Sequence, residues 1–325
     1  MSVAVSRDAE LGALVECASL GERHAVARLV SLFQDRRADA SHRRDHALAL
    51  LDRHEAGAEA VVIGITGSPG SGKSSLLGRL ATELLRADAE LTIAVLAIDP
   101  SSPISGGALL GDRTRMQTRA DPRLFFRSEA ADAELGGLSP SSFQVSRLLS
   151  RLFDCVIVET VGIGQSEADI RKLADRVYLV LAPLGGDEVQ LMKAGIIEIP
   201  DAFVVNKSDE PTAARSYRQL QANLWLARPF DADTVPVFRT SAKTGEGVRE
   251  LSDAIAAQLA AGPVLDAGAR ESYFFERWVK EEWGRNGLVH PRSRLGGAAA
   301  AIEHSGGFDG AQRVFVTSFE AALGD

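Results

Sequence analysis

The first chemical signal in the chain is a glycine-rich stretch, Gly67-Ser-Pro-Gly-Ser-Gly-Lys-Ser74. It fits the pattern glycine, four residues, glycine-lysine-serine, in which backbone N–H groups and a following helix N-terminus surround phosphates. Lys73 would reach the β- and γ-phosphates, and the Ser74 hydroxyl would bind Mg²⁺. The residues predicted to contact the nucleotide here are Gly67, Ser68, Gly70, Ser71, Gly72, Lys73, Ser74 and Ser75.

A second signal, Asn206-Lys207-Ser208-Asp209, bears on the base. The Asp209 carboxylate can accept hydrogen bonds from guanine N1–H and the 2-amino group, whereas adenine has neither donor at that place. Asn206 and Lys207 would support this loop and flank the base. Further along, Ser241-Ala242-Lys243 would bring a backbone N–H to guanine O6 and Lys243 beside the ring. The two strings together predict GTP and GDP as ligands.

A third signal, Glu159-Thr-Val-Gly162, resembles the Asp-x-x-Gly element of GTPases, with glutamate in place of aspartate. The Glu159 carboxylate can hold Mg²⁺, and Gly162 lets a backbone N–H approach the γ-phosphate. Ile163 stands where many small GTPases have a glutamine that orients water, and isoleucine cannot do so. Gln165 is the nearest candidate for that role. We therefore expect slow intrinsic hydrolysis of GTP to GDP and phosphate.

Two further carboxylates, Asp99 and Asp112, flank a stretch rich in proline, serine and glycine. Such a stretch suits a loop that the γ-phosphate and Mg²⁺ order and that hydrolysis releases. A structural alternative stays open for each residue. Asp99 can be the N-cap of a helix, and Asp112 can be a cap on the protein surface.

Short apolar runs that alternate with helical patterns would position these groups. Because the runs are almost continuously apolar, they predict an α/β fold with a mostly parallel sheet covered by helices. The predicted strands are 61–66, 92–98, 124–127, 155–159, 177–182, 202–206 and 235–240. The predicted domains are a helical N-terminal unit at 1–57, the nucleotide-binding domain at 58–262 and a mainly helical extension at 263–325. Residues 314–323 fit a helix or a strand.

Composition narrows the class of protein. The chain has 325 residues, 36 Lys and Arg, 44 Asp and Glu, and a formal charge of −8. This acidic balance disfavours binding to nucleic acid or to an anionic membrane surface. Two distant cysteines, Cys17 and Cys155, exclude a disulfide framework. With no signal-peptide pattern and no apolar run of about 18 residues, the predicted location is the cytoplasm.

The motifs together resemble the MeaB/ArgK group of P-loop NTPases, GTPases that act as chaperones of adenosylcobalamin-dependent acyl-CoA mutases. The strings that carry the resemblance are Asp99-Pro-Ser-Ser, Gly111-Asp-Arg-Thr-Arg-Met116, Glu159-Thr-Val-Gly-Ile-Gly-Gln-Ser-Glu167 and Asn206-Lys-Ser-Asp209. The GTPase domain is also similar to the one fused within isobutyryl-CoA mutase. The implied function is to gate adenosylcobalamin loading and to protect or reactivate the mutase, the implied protein partner.

The resemblance also implies particular site residues and an assembly. Mg²⁺ would lie near Ser74 with Asp99, Asp112 and Glu159 around it. A third switch would span Gly185–Gly195, with Asp187, Glu188 and Lys193 as its polar contacts. The family further implies a homodimer formed largely through the C-terminal helices.

Two alternative functions belong to other classes. One is a metallochaperone GTPase for a nickel enzyme, which usually carries clustered histidines or cysteines, whereas the 6 histidines here are scattered. The other is a kinase of a transport-binding protein, which the guanine loop disfavours.

One string suggests a cobalamin ligand. Asp52-Arg-His54-Glu-Ala-Gly57 matches the Asp-x-His-x-x-Gly string of base-off cobalamin domains. It follows a helical run at 47–51, whereas the cobalamin string follows a strand. We interpret it as a helix C-terminus and predict no direct cobalamin binding.

Overall fold

The protein was analysed as a computed structural model, which describes residues 2–37, 40–54, 60–99, 121–130, 138–160, 165–183 and 196–324. The chain divides into two compact units. The helical unit comprises Met1–Ala58, Ser139–Leu152 and Val264–Asp325, and the sheet unit comprises Glu59–Leu138 and Phe153–Pro263.

The sheet unit is built on seven parallel strands within the described residues. They are β1 (Val61–Thr66), β2 (Ile93–Asp99), β3 (Leu124–Ala130), β4 (Cys155–Thr160), β5 (Arg176–Leu181), β6 (Ala202–Val205) and β7 (Val237–Arg239). Their order in the sheet is β3-β2-β4-β1-β5-β6-β7. Strands β1, β2, β4 and β6 are buried along their whole length, as expected for strands covered on both faces. This confirms the predicted α/β class.

Helices complete the sheet unit on either side of these strands. They are α4 (Lys73–Ala87), α6 (Gln165–Leu173), α7 (Ala213–Ala227) and α8 (Val248–Ala261), with a 3₁₀ turn at Ile196–Glu198. Apolar residues of α4 and α8 share a core with β1, β2 and β4. A second core forms where Leu220 and Leu224 of α7 pack with Phe203 and Ile197. These cores fix the strand ends that carry the candidate site.

The helical unit gathers three separate parts of the chain. It contains α1 (Ser2–Ser19), α2 (Arg23–Phe33), α3 (Ala40–His54), α5 (Pro140–Leu149), α9 (Ala267–Gly287), α10 (Val289–Arg294), α11 (Ala298–His304) and α12 (Phe308–Gly324). The last of these shows that residues 314–323 are helical. Helix α5 lies inside the predicted 58–262 segment but clusters with the terminal helices. Its start is set by Ser139, whose hydroxyl accepts the Ser142 N–H at 3.0 Å, with proline at the first helical position.

A buried ionic network holds the helices of this unit together. Asp309 of α12 is fully buried and accepts hydrogen bonds from Arg44 of α3 at 2.5 Å and from Arg147 of α5 at 2.8 Å. Gln144 donates to the same carboxylate at 3.1 Å. Removing one partner of such a network would leave buried charges uncompensated.

No helix in the described part of the chain is both long enough and apolar enough to cross a bilayer.

Candidate nucleotide site

The phosphate-binding loop joins the end of β1 to the start of α4. Gly67 has φ 142°, and a Cβ there would lie 2.0 Å from the Val180 carbonyl oxygen. Gly72 has φ 84°, and a Cβ there would lie 2.6 Å from Asn206 Nδ2. Both positions therefore require glycine, because the loop approaches a neighbouring strand and the Asn206 side chain too closely for any side chain.

Lys73 is buried within this loop. Its Nζ donates to the carbonyl oxygens of Gly67 at 2.6 Å and Ser68 at 2.9 Å. The ammonium group is thus held over the loop that the sequence assigns to phosphate. Of the other predicted contacts, Ser68 and Ser71 are buried, Ser74 is half-buried, and Gly70 and Ser75 are exposed.

The predicted metal residues lie at the ends of adjacent strands. The Ser74 hydroxyl donates to Glu159 Oε1 at 2.7 Å. Glu159 pairs in register with Ile65 of β1 and with Ala97 of β2, and Asp99 ends β2 two residues further on. Both carboxyl groups are almost fully buried. One hydroxyl and two carboxylates are oxygen donors of the kind that Mg²⁺ prefers, so these residues fit that ion.

Within the described ranges, no three or more His, Cys, Asp and Glu side chains form a group that could hold a metal ion.

Asn206 connects the base loop to the phosphate loop. Its Nδ2 donates to the Ser71 carbonyl at 2.8 Å, and its Oδ1 accepts from the Ala242 N–H at 3.1 Å and from the Thr240 hydroxyl at 3.3 Å. The side chain is fully buried. One residue therefore fixes three segments that the sequence predicts to surround one nucleotide. Lys207 follows with φ 58°, the one non-glycine residue at positive φ in the described part of the chain.

Asp209 is held in place by Ser241. The Ser241 hydroxyl donates to Asp209 Oδ1 at 2.6 Å, and Lys243 Nζ lies 3.9 Å from the other carboxylate oxygen. The Ser241 hydrogen bond, followed by smaller effects that include the charges of Lys243 and Lys207, lowers the pKa of Asp209 below its usual value. The group is an ionised acceptor with a fixed direction, as guanine recognition requires.

The structure adds residues that the sequence did not single out. Arg79 of α4 donates from Nη2 to the Lys243 carbonyl at 2.8 Å and so supports the second base loop. The Thr160 hydroxyl donates to the Thr66 hydroxyl at 3.0 Å, which ties the end of β4 to the end of β1. No sequence pattern marks Arg79, whereas Thr66 directly precedes the glycine-rich motif and Thr160 lies within the motif at 159–162.

Several predicted residues cannot be placed. They lie outside the described residues and are Asp112, Gly162, Asp187, Glu188 and Lys193. Gln165 begins α6, but its side chain is not among those described. The roles assigned to these residues stay predictions.

Comparisons with known proteins identify the family. Residues 26–282 match the family described as "Methylmalonyl Co-A mutase-associated GTPase MeaB". A Pyrococcus horikoshii protein is 42% identical over 247 residues, 74% of this chain and 75% of that protein. The Escherichia coli protein GTPase ArgK is 33% identical over 284 residues, 83% of this chain and 82% of its own. The crystal structure of a LAO/AO transport system kinase has the same fold, with a TM-score of 0.60 and 24% identity, covering 91% of this chain and 90% of that one. This chain therefore belongs to the MeaB family of GTPases, guanine-nucleotide-binding proteins with a P-loop NTPase fold.

Proposed function

We propose that this MeaB-family GTPase is a chaperone that gates adenosylcobalamin loading onto a cobalamin-dependent acyl-CoA mutase and protects or reactivates that mutase. The observation that best supports nucleotide binding is the position of the Asn206 side chain. Asn206 belongs to the first base loop, and its side chain is hydrogen-bonded to the phosphate loop and to the second base loop at once. The family description, which names methylmalonyl-CoA mutase, supports the choice of partner. Gating requires that the mutase bind the GTP and GDP forms with different affinities.

Different residues of the site bind the phosphates, the base and the metal ion. The loop at 67–74 holds the phosphates, and Asp209 selects guanine. When the nucleotide binds, Lys73 would exchange its two carbonyl partners for phosphate oxygens, because an ammonium group attracts an anionic oxygen more strongly than a neutral carbonyl oxygen. Ser74, Asp99 and Glu159, together with Asp112, would hold Mg²⁺, which neutralises charge on the β- and γ-phosphates when bound.

Slow intrinsic hydrolysis is part of the proposal. Ile163 cannot orient the attacking water, and Gln165 is the proposed substitute. We expect a single-turnover rate constant below about 1 s⁻¹ for the isolated chain, since unassisted GTPases are orders of magnitude slower than assisted ones. Slow hydrolysis suits gating, because the GTP form then lasts long enough to bind the mutase.

Three finer elements of the proposal go beyond the nucleotide contacts: a third switch, a homodimer and a location in the cell. The segment Gly185–Gly195 would be a third switch with Asp187, Glu188 and Lys193 as its contacts. The C-terminal extension from residue 263 would form a homodimer, and the protein would act in the cytoplasm.

A cofactor-transfer assay tests this function. Apo-mutase is mixed with free adenosylcobalamin and the full chain, and loading is followed by the change in cobalamin absorbance with GTP, GDP, ATP or no nucleotide. The proposal predicts that GTP and GDP give different loading rates and that ATP behaves like the sample without nucleotide. Identical loading in all four samples would contradict it.

A further inference from the structure

A group of large apolar side chains is exposed near the end of α7. Trp225 is 54% exposed, Leu226 77% and Phe230 100%. Single exposed apolar residues are ordinary, whereas a larger exposed apolar surface marks an interaction site, and these three residues lie within six positions of the sequence. The opposite side of α7 already has its partners, since Leu220 and Leu224 pack into the core with Phe203. The three exposed side chains therefore do not belong to an internal interface of the sheet unit.

The turn that carries Phe230 is fixed by hydrogen bonds. Arg228 donates from Nε to both carboxylate oxygens of Asp231, at 3.1 and 3.2 Å, and from Nη1 to the Pro200 carbonyl at 2.9 Å. The backbone N–H of Ala232 also bonds to the Arg228 carbonyl at 2.9 Å. Phe230 is thus presented on an ordered turn, and a partner would have little conformational entropy to remove when it binds.

Positive charge accompanies the apolar group on the same helix. Arg215, Arg218 and Trp225 are spaced by three and seven residues, which places them on one face of α7, and both arginines are exposed. The helix has no aspartate or glutamate in its whole length. This positive surface belongs to a chain whose formal charge is −8. Arginine and tryptophan are also the residues most often found at the energetic centres of protein interfaces.

The same helix adjoins the chain segment that follows the proposed third switch. Ile197, in the 3₁₀ turn directly after that segment, packs in one core with Leu220 and Leu224. Pro200 accepts the hydrogen bond from Arg228. A shift of this turn between nucleotide states would therefore reach the exposed side of α7 through packed atoms.

We propose that Arg215, Arg218, Trp225, Leu226 and Phe230, named here the α7 patch, form the surface on which the mutase docks. The mutase would offer an apolar pocket for Phe230 and, about 10–20 Å away along the α7 axis, carboxylates that pair with the two arginines. A second copy of the chain fits less well, because a closed dimer brings the same patch to itself and α7 has no carboxylate to pair with its arginines. This inference rests on the proposed function, since the mutase is its partner.

Binding of the full chain to purified methylmalonyl-CoA mutase tests the α7 patch. The chain is loaded with a non-hydrolysable GTP analogue and Mg²⁺, and affinity is measured by calorimetry. The test variants are Leu226→Ser combined with Phe230→Ser, and Arg215→Glu combined with Arg218→Glu. Leu20→Ser is the matched control, because Leu20 is also 77% exposed but lies in the helical unit.

The expected result is a loss of mutase affinity of about tenfold or more in both double variants, with the control within about twofold of the wild type. GTP hydrolysis by the isolated variants should stay at the wild-type rate, because none of these residues contacts the nucleotide site.

Three results would overturn the inference. The double variants could bind the mutase as tightly as the wild type, or Leu20→Ser could weaken binding equally. Sedimentation could instead show that the double variants lose self-association while keeping mutase affinity, which would make the patch an interface between copies. If the wild-type chain itself does not bind the mutase, the proposed function fails as well, and that outcome is distinct from the other three.

Discussion

Asn206 Nδ2 donates a 2.8 Å hydrogen bond to the Ser71 carbonyl, so the residue that opens the base loop also holds the phosphate loop. The other side of the same amide accepts from Ala242. The loop proposed to bind the base and the loop proposed to bind the phosphates therefore share one buried side chain, so a shift of either loop would displace the other.

Replacing Asn206→Ala should weaken both recognition loops. The substitution leaves the Ser71 carbonyl and the Ala242 N–H without this hydrogen-bond partner. A buried polar group that loses its partner costs about 1–3 kcal/mol in stability. We expect a lower free energy of unfolding and a similar loss of affinity for GTP and GDP, measured by denaturant titration and calorimetry. The half-exposed Asn223→Ala serves as the control. A loss confined to GTP would contradict the shared role.

Replacing Asp209→Asn should abolish the preference for guanine. An amide presents a donor where guanine N1–H and the 2-amino group need acceptors. Such a mismatch lowers the preference of a site for its ligand by a factor of about 10⁴ or less. Competition between GTP and xanthosine triphosphate measures the change, and xanthosine triphosphate should gain because its 2-oxo group accepts from the new amide. If the variant retains wild-type selectivity, the assignment of Asp209 is wrong.

The same carboxylate sets an expected pH dependence. Because the pKa of Asp209 is lowered, its carboxylate is charged at every pH above the range in which aspartate usually titrates. The charge, and the guanine binding that depends on it, is lost only as the pH falls through the lowered pKa. Guanine preference of the wild type should therefore stay constant between about pH 5 and 8.

Replacing Glu159→Gln should separate metal binding from local structure. Glutamine can still accept the Ser74 hydrogen bond, but it lacks the negative charge that attracts Mg²⁺. We expect the Mg²⁺ concentration for half-maximal hydrolysis to rise by about 10–100-fold, as is typical when a ligand of a metal site or its support is altered. The control is Glu83→Gln, at a half-buried glutamate of α4 that pairs with the exposed Arg86. An unchanged Mg²⁺ dependence would remove Glu159 from the metal site.

Replacing Asp309→Ala should destabilise the helical unit strongly. The change leaves the buried Arg44 without this counter-charge and removes one of the two carboxylates that pair with the half-buried Arg147. Breaking a buried ion pair typically costs about 3–5 kcal/mol in the free energy of unfolding. The control is Glu83→Ala, which breaks an exposed pair with Arg86 and should cost at most about 1 kcal/mol. Chemical denaturation of both variants gives the comparison, and equal costs would contradict the importance of the buried network.

Local patterns predicted much of the sheet. The run before Gly67 predicted β1 at the bounds observed, because a continuous apolar segment ending at glycine has few other interpretations. Strand β7 is shorter than predicted, covering Val237–Arg239 instead of 235–240. Pro236 lacks an N–H and cannot donate to a ladder at an edge of the sheet. Asn206, predicted to end β6, follows it instead and uses its side chain across the loops.

Long-range packing was harder to predict from the sequence. Ser139-Pro140 marks a helix start, yet no local signal tells that α5 packs with helices from both chain termini. That choice depends on the buried contacts of Gln144 and Arg147 with Asp309, more than 150 residues away. The base motifs predicted Asp209 and Ser241 separately, but their direct hydrogen bond needed the fold to bring β6 and β7 together.

In the proposed function, GTP and GDP change how tightly this GTPase binds the mutase. The most direct measurement is the affinity of the full chain for methylmalonyl-CoA mutase in two states, one with GDP and Mg²⁺ and one with a non-hydrolysable GTP analogue and Mg²⁺. We expect the two affinities to differ by at least about fivefold, the lower end of ordinary allosteric coupling. Equal affinities in the two states would contradict the proposal, because a mutase that binds both nucleotide forms alike is not coupled to the nucleotide.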